Sequence, residues 1–348
     1  MDGHRCGVEL SLRYALRDSV VSYKLCPTSR LFGIRGLLLA LALPYLVAGD
    51  AIDAAVLKSV FQSPNSYPGS DFGAPALFEQ DRLIVSDRLD ASTPDSSGRV
   101  FIFDATIGEL AHTILDPTPS TLSGFGSAIA AHGDSAIVGD LNSSQAPGQA
   151  HVFDVSTGVL EFTLNDPSSQ PYDGFGKSVA ISDRYIVVGD PFEDSSTERN
   201  VGAVYVYTRD TANLVLTLED PHPRAGGRYG NAVAIAGDTI AVQSVGRSRE
   251  VPGRVLVYNA ITGDLSHVLE DPFPEPEDSF GAGLALQGSS LLVGDPGSDL
   301  DATDAGVTYL FDALDGALIR TISSPNPRRG AGFGSAVAID GNRLLIGS

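Results

Sequence analysis

Short apolar runs alternate with tight polar turns along this chain, and the pattern returns about every fifty residues. Each copy opens on a Phe-Gly or Tyr-Gly step, ending at Gly73, Gly126, Gly176, Gly230, Gly281 and Gly334. That spacing holds four short strands with their turns and is too long for one coil of a solenoid. In Asp173–Pro191 the positions after Gly176 alternate, with Ser178 and Ala180 small and Val179 and Ile181 large. A period of two marks a strand. Ala128 and Ala130, Ala232 and Ala234, Gly283 and Ala285, and Ala336 and Ala338 keep the same narrow face in the other copies, as inner strands of a radial array require.

A two-residue turn follows, at Gly133-Asp134, Asp183-Arg184, Gly237-Asp238, Gly288-Ser289 and Gly341-Asn342, whose residues suit the positive φ of a hairpin. A longer variable loop leads to Gly98, Gly148, Gly202, Gly253 or Gly306 and a third strand closing on an aromatic: Phe103, Phe153, Tyr207, Tyr258 or Phe311. These rings are expected to anchor the core between blades. A fourth strand closes on Asp-Pro at 116-117, 166-167, 220-221 and 271-272, where proline stops an outer strand without spoiling a ladder. The expected fold is therefore all-β, a propeller of about six four-stranded blades. Connectivity puts the short turns on one face and the long, variable loops on the other, where recognition is expected.

The ends of the chain carry their own signals. Arg30 and Arg35 precede an apolar run from Gly36 to Ala48, too short for a span and interrupted by Pro44, so residues 1–49 read as a leader with a signal peptide and 50–348 as the propeller. About thirty residues stand before that run, more than a signal needs, which suggests a start further downstream. Asp50–Asn65 resembles Asp312–Asn326 and is a candidate spare fourth strand, while Gly332–Ser348 supplies strands one and two of a sixth unit. Either the ends share a blade, with Leu43–Asp50 as its third strand, or the chain is a fragment of a larger, seven-bladed propeller.

Composition narrows the function. Both cysteines, Cys6 and Cys26, lie in the first thirty residues, so the rest of the chain has no thiol for a disulfide, redox centre or cysteine metal site. The formal net charge is −20, and the first 49 residues are the basic part. Such a surface repels nucleic acid and anionic lipid and favours cations or basic partners.

The Phe-Gly steps followed by IVVGDP or LLVGDP and then GAVYVY or GVTYLF resemble FG-GAP repeats, the blades of integrin α-subunit propellers and of many secreted bacterial proteins. The resemblance covers residues 50–348. It implies a binding scaffold more than an activity. Integrin-type blades can hold calcium between strands one and two; here that loop is a tight turn, so those sites do not carry over. The GAP triplet reads Gly189-Asp190-Pro191 and Gly294-Asp295-Pro296, with Gly139-Asp140 and Ser86-Asp87 at the same point, but Gln243-Ser244 in one copy.

Four complete copies thus put a carboxylate at the end of strand two. Together with Asp194 after Asp190, and with Asp299 and Asp301 after Asp295, these are candidate oxygen ligands for Ca²⁺; the alternative is that they accept hydrogen bonds from loop backbone. No other cofactor is expected. His112 and His267 fall at equivalent outer-strand positions and read as surface residues, while His151 takes the place of Phe101, Tyr205, Leu256 and Tyr309 and reads as packing. No His pair at metal spacing, phosphate loop or nucleophile elbow occurs. The quinoprotein-like turns FDVSTGVL and FDALDGAL come without the tryptophans of that family. The sequence therefore points to a non-catalytic, secreted, periplasmic or cell-surface scaffold for an extracellular protein or polysaccharide. A secreted propeller hydrolase or quinoprotein-like dehydrogenase, and a structural module of a surface assembly, are the competing classes.

Overall fold

A computed structural model describes residues 11–16, 19–24, 60–64, 71–88, 97–120, 123–141, 147–170, 172–246, 252–275 and 278–348. Their strands form six four-stranded antiparallel sheets. The chain divides into two compact units, Leu31–Tyr172 and Met1–Arg30 together with Asp173–Ser348. Strands β1 (Ser11–Leu16) and β2 (Ser19–Lys24) open the chain. The smaller unit holds the sheet β3 (Phe72–Glu79), β4 (Arg82–Asp87), β5 (Arg99–Asp104), β6 (Leu110–Leu115) and the sheet β7 (Phe125–His132), β8 (Ser135–Asp140), β9 (Gln149–Asp154), β10 (Leu160–Asn165).

The larger unit holds β11 (Ser178–Ile181), β12 (Tyr185–Asp190), β13 (Ala203–Thr208), β14 (Leu214–Glu219); then β15 (Val233–Ala236), β16 (Thr239–Ser244), β17 (Arg254–Asn259), β18 (Leu265–Glu270); then β19 (Gly283–Gln287), β20 (Ser290–Asp295), β21 (Val307–Asp312), β22 (Leu318–Ser323). In these five sheets neighbours in sequence are neighbours in space, the up-and-down order of a propeller blade. The sixth sheet runs β2-β1-β24-β23, with β23 (Val337–Asp340) and β24 (Arg343–Gly347).

That sixth sheet takes two of its strands from within residues 1–49, the segment read as a leader. Its third and fourth strands are β1 and β2, with Leu12 opposite Gly347 and Ala15 opposite Leu344. The sequence shows why: Leu12, Tyr14 and Leu16 alternate with Ser11, Arg13 and Ala15, a period of two. The apolar run Gly36–Ala48 and the segment Leu43–Asp50 lie outside the described residues. So does most of Asp50–Asn65; of it, Phe61 is buried and meets the Phe103 ring edge-on at 5.4 Å.

The apolar core lies between consecutive sheets of each unit. Val187, Val204 and Val206 of one sheet pack with Ile240, Val242 and Leu256 of the next, and Ile84, Val100 and Ile102 pack with Ala136 and Val138. In three copies the aromatic of the step turns onto the last ring of its own third strand: Phe125 on Phe153, Tyr229 on Tyr258, Phe280 on Phe311, all edge-on at 6.1 to 6.4 Å; Phe175 meets Tyr205 at 5.7 Å instead. The step's backbone meanwhile abuts the preceding sheet. A Cβ on Gly98 would lie 2.0 Å from the Phe125 carbonyl oxygen, one on Gly202 2.1 Å from that of Tyr229, and one on Gly306 2.2 Å from that of Phe333. The end of strand two is equally tight: a Cβ on Gly189 would lie 2.1 Å from the Gly230 oxygen and one on Gly294 1.9 Å from that of Gly334. Where that position has a side chain, the side chain donates to the next step's backbone: Ser86 Oγ to Gly126 O at 2.7 Å, and Gln243 Nε2 to Phe280 O at 2.9 Å.

Two local features depart from the sequence expectation. The Asp183-Arg184 turn reverses without a positive φ, closing from Ser182 N to Tyr185 O at 2.9 Å, whereas Gly133, Gly237, Gly288 and Gly341 adopt one. Each of the five consecutive sheets also carries a bulge between its third and fourth strands, beside Phe103, Phe153, Tyr207, Tyr258 or Phe311. A bulge there steepens the local twist of the outer strand.

Gly306→Ala is expected to cost about 2–4 kcal/mol, because its φ of +80° and the Phe333 carbonyl both oppose a side chain. Thermal melting of the full chain measures this. Gly288→Ala, with a φ of +58° and open space around it, isolates the backbone cost at about 1–2 kcal/mol. Equal losses would show that docking of the next sheet is not the constraint.

Candidate functional site

Three points of the repeat meet at the long-loop end: the Asp that ends strand four, the residue two before the Phe-Gly or Tyr-Gly aromatic's glycine-flanked step, and the residue that ends strand two. The Asp of each Asp-Pro pair does more than precede a strand stop. Asp116, Asp166, Asp220 and Asp271 are buried, and one oxygen of each accepts the N–H two residues on, at 2.7 to 2.9 Å, from Thr118, Ser168, His222 and Phe273. These are Asx turns; at Asp116, Asp220 and Asp271 the second carboxylate oxygen faces inward, while that of Asp166 accepts the Ser168 hydroxyl at 3.0 Å.

The sheets then treat that inward oxygen differently. Around β7–β10, Ser123 Oγ lies 2.7 Å from Asp116 Oδ2 and 2.8 Å from Asp140 Oδ1, while His151 Nε2 stands 3.9 Å from Asp140. One hydroxyl proton thus serves two buried carboxylates, and burial raises the Asp116 pKa above its ordinary value. His151 is fully buried against Phe125 and Phe153 with Nδ1 3.0 Å from Thr163 Oγ1, so it packs as expected and also faces an acid. Around β15–β18 the strand-two residue is Ser244, and Arg254 enters instead. Its Nη2 donates to both oxygens of Asp220 at 2.7 and 2.8 Å, and Ser244 Oγ donates to Asp220 Oδ2 at 2.8 Å.

At β19–β20 the three positions are Asp271, Asp278 and Asp295, all buried, with one oxygen of each within 4.8 Å of the others. Each is anchored by a main-chain N–H: Phe273 to Asp271 Oδ1, Glu275 to Asp278 Oδ2, and Ser279 to Asp295 Oδ1. Asp271 Oδ2, Asp278 Oδ1 and Asp295 Oδ2 are buried without a hydrogen-bond donor. Desolvation, reinforced by the neighbouring acids, raises Asp295 to about 8 and Asp278 to about 7, and desolvation raises Asp271 as well. Burial and the same three carboxylates push the Tyr309 hydroxyl far above its usual range.

The carboxylates expected from the sequence divide accordingly. Asp295 belongs to this group, but Asp299 and Asp301 are exposed outside it, and Asp299 Oδ1 instead accepts Asp304 N at 2.7 Å. Asp190 gathers with Asp173 and Glu193, whereas exposed Asp194 accepts Asn200 N at 2.7 Å. Asp194 and Asp299 therefore serve loop backbone, the alternative given above. Asp271 and Asp278 were missed as candidate ligands. Their signal was legible, since Asp-Pro and the Asp of Asp-x-Phe-Gly fall at the same end as Gly-Asp-Pro. His112 and His267 are partly exposed, and each reaches the next sheet's outer turn with Nε2, 2.7 Å from Ser156 O and Leu314 O. In the smaller unit a cleft of about 410 Å³ is lined by Thr118, Pro147, Gln149, Asn165, Asp166 and Ser169.

A family profile described as FG-GAP repeat matches residues 162–207, and the sheets around it have the strand order of propeller blades. The chain thus carries an FG-GAP repeat within sheets ordered like propeller blades. Among solved structures it is similar to the crystal structure of BamB from Moraxella catarrhalis, at 15% identity and a TM-score of 0.45, over 79% of this chain and 71% of that one. No curated protein sequence matches the propeller. Among its described residues no helix is long and apolar enough to cross a membrane.

Removing the cation from a buried pair strands the acid, so Arg254→Met should destabilise the protein by about 3–5 kcal/mol, with Asp220→Asn in the same chain restoring most of the loss. Denaturant melts check both. The raised acids give a second prediction, with Glu275 and Tyr309 the other titratable groups beside them. A raised Asp binds its proton more tightly folded than unfolded, so its stabilising contribution is complete below the unfolded pKa near 4 and is lost as pH rises through about 8. In chelator the Tm should fall from pH 5 to pH 8, and Asp295→Asn should flatten that decline.

Proposed function

We propose that this FG-GAP propeller is an exported, non-catalytic interaction scaffold that recognises an extracellular protein or polysaccharide with its long-loop end. The observation that carries this reading is the way the long loops of the larger unit are tied into one another. Arg199 O and Asn200 O accept Gly226 N and Arg228 N at 2.7 and 3.0 Å, and Thr303 O and Asp304 O accept Gly330 N and Gly332 N at 2.9 and 3.0 Å. Each loop between strands two and three is thereby bonded to the loop leading into the next sheet. Loops ordered before a partner arrives lose less conformational entropy on binding.

This pre-shaped end also exposes apolar side chains, Phe273 and Leu300, at 50% and 44%. An exposed aromatic among polar loops suits a sugar face or a peptide side chain. The non-catalytic part is supported by the placement of His151, the histidine that faces an acid, sealed between two phenylalanine rings. Export is supported by the Arg-flanked apolar run Gly36–Ala48 and the acidic charge.

The test is binding of the purified chain to panels of immobilised polysaccharides and extracellular-matrix proteins. The ligand found should bind at least tenfold more weakly to the Phe273→Ala, Leu300→Ala double variant, and as well as before to Leu314→Ala in an exposed turn at the opposite end. Silence in both panels, or equal loss in both variants, would sink the reading. Breakdown of a bound polysaccharide would favour the hydrolase instead.

A further inference from the structure

We propose that Asp271, Asp278 and Asp295 bind a calcium ion between the end of β18, the loop that follows and the end of β20. Proximity of acids is not the basis of this assignment. Each carboxylate is fixed by a backbone N–H through one oxygen and keeps another oxygen buried with no donor, and the side chains are 0–7% exposed. Water does not reach these atoms to replace the missing donors, and three buried anions repel one another strongly.

The rest of the chain indicates what belongs there. At the corresponding place beside β16, where Ser244 replaces the strand-two acid, the Arg254 guanidinium bonds both oxygens of Asp220, the counterpart of Asp271. Beside β8 the counterpart of Asp278 is Ser123, whose hydroxyl lies between the two remaining acids. Positive charge or a donor therefore compensates the Asp-Pro carboxylate in these two other copies. At Asp271 the chain supplies a third carboxylate, Asp278, in place of the Ser, and Val307 stands where Arg254 stands. Three hard oxygen donors that lack a protein cation are the donor set for a hard divalent ion.

Calcium fits better than magnesium. Oxygens coordinating one Ca²⁺ at 2.3–2.6 Å lie within about 5 Å of each other, which the 4.8 Å grouping meets. Magnesium retains several waters of its shell, and these side chains are closed to solvent. The charge of −3 exceeds that of one divalent ion, so the ion would relieve most of the repulsion without making the site cationic.

The full chain, freed of metal with chelator, is titrated with CaCl₂ while its melting is followed, and separately with TbCl₃, whose luminescence is excited through tyrosine; Tyr309 lies in the field of all three carboxylates. Calcium should raise the Tm by several degrees with half-effect at roughly 10⁻⁴–10⁻³ M or below, terbium should luminesce, and calcium should displace it. Asp295→Asn should fold, since it removes a buried charge, and should lose at least tenfold in calcium affinity. Asp278→Asn is the second variant and should behave the same way. A wild-type Tm blind to calcium, or a calcium effect that persists undiminished in both variants, overturns the assignment. The first result would mean that protons neutralise the three acids; the second would place the ion elsewhere.

Discussion

Within each unit, the docking of an aromatic-glycine step against the sheet before it is the constraint on which the rest depends. The step's carbonyl oxygen sits where a side chain on the preceding sheet would need to be, within 2.2 Å of a Cβ at Gly98, Gly202 and Gly306. The third strand must therefore begin with glycine, and strand two must end in glycine or in a side chain that donates to that backbone, as Ser86 and Gln243 do. Close approach of the backbones lets the branched side chains of consecutive sheets interlock, and burial of each Phe or Tyr contributes about 1.5–3 kcal/mol. The glycines give up helix and strand propensity for this fit.

The same docking closes the long-loop end over a set of carboxylates. An Asp that caps its own turn through one oxygen is left with a second oxygen pointing into the closed region, and every copy must compensate it. The serine between Asp116 and Asp140 and the arginine on Asp220 are two solutions to one electrostatic problem. At Asp271, Asp278 and Asp295 one oxygen of each acid is left without a donor. Repetition makes this informative, since the copies at Asp116 and Asp220 act as internal references for what the position requires.

Loop order and buried acids belong to one design. The long loops are tied to each other by backbone bonds, and their outer carboxylates, Asp194 and Asp299, are spent on shaping them. Their exposed side chains are thus presented on loops held by backbone bonds. Rigidity at the base and variability at the tip is the arrangement expected of a scaffold whose specificity lies in its loops.

The sequence by itself determined the blade. Period-two alternation after Gly176, glycine turns and third-strand aromatics are local signals set by backbone sterics and pleat geometry, and they placed the strands and sorted the loops. It also marked the strand-two carboxylates, including Asp190 and Asp295. What only the tertiary structure decided was which carboxylates meet. Asp299, four residues from Asp295, turns to its own loop, whereas Asp271, twenty-four residues away, joins it, because the end of one sheet's outer strand is carried to the end of the next sheet's second strand. The pairing of β1 with β24 was likewise invisible to a local reading, since a strand's alternation states that it will pair and not with what. Burial and partner choice are properties of the packed chain, and they arise from contacts that sequence proximity does not encode.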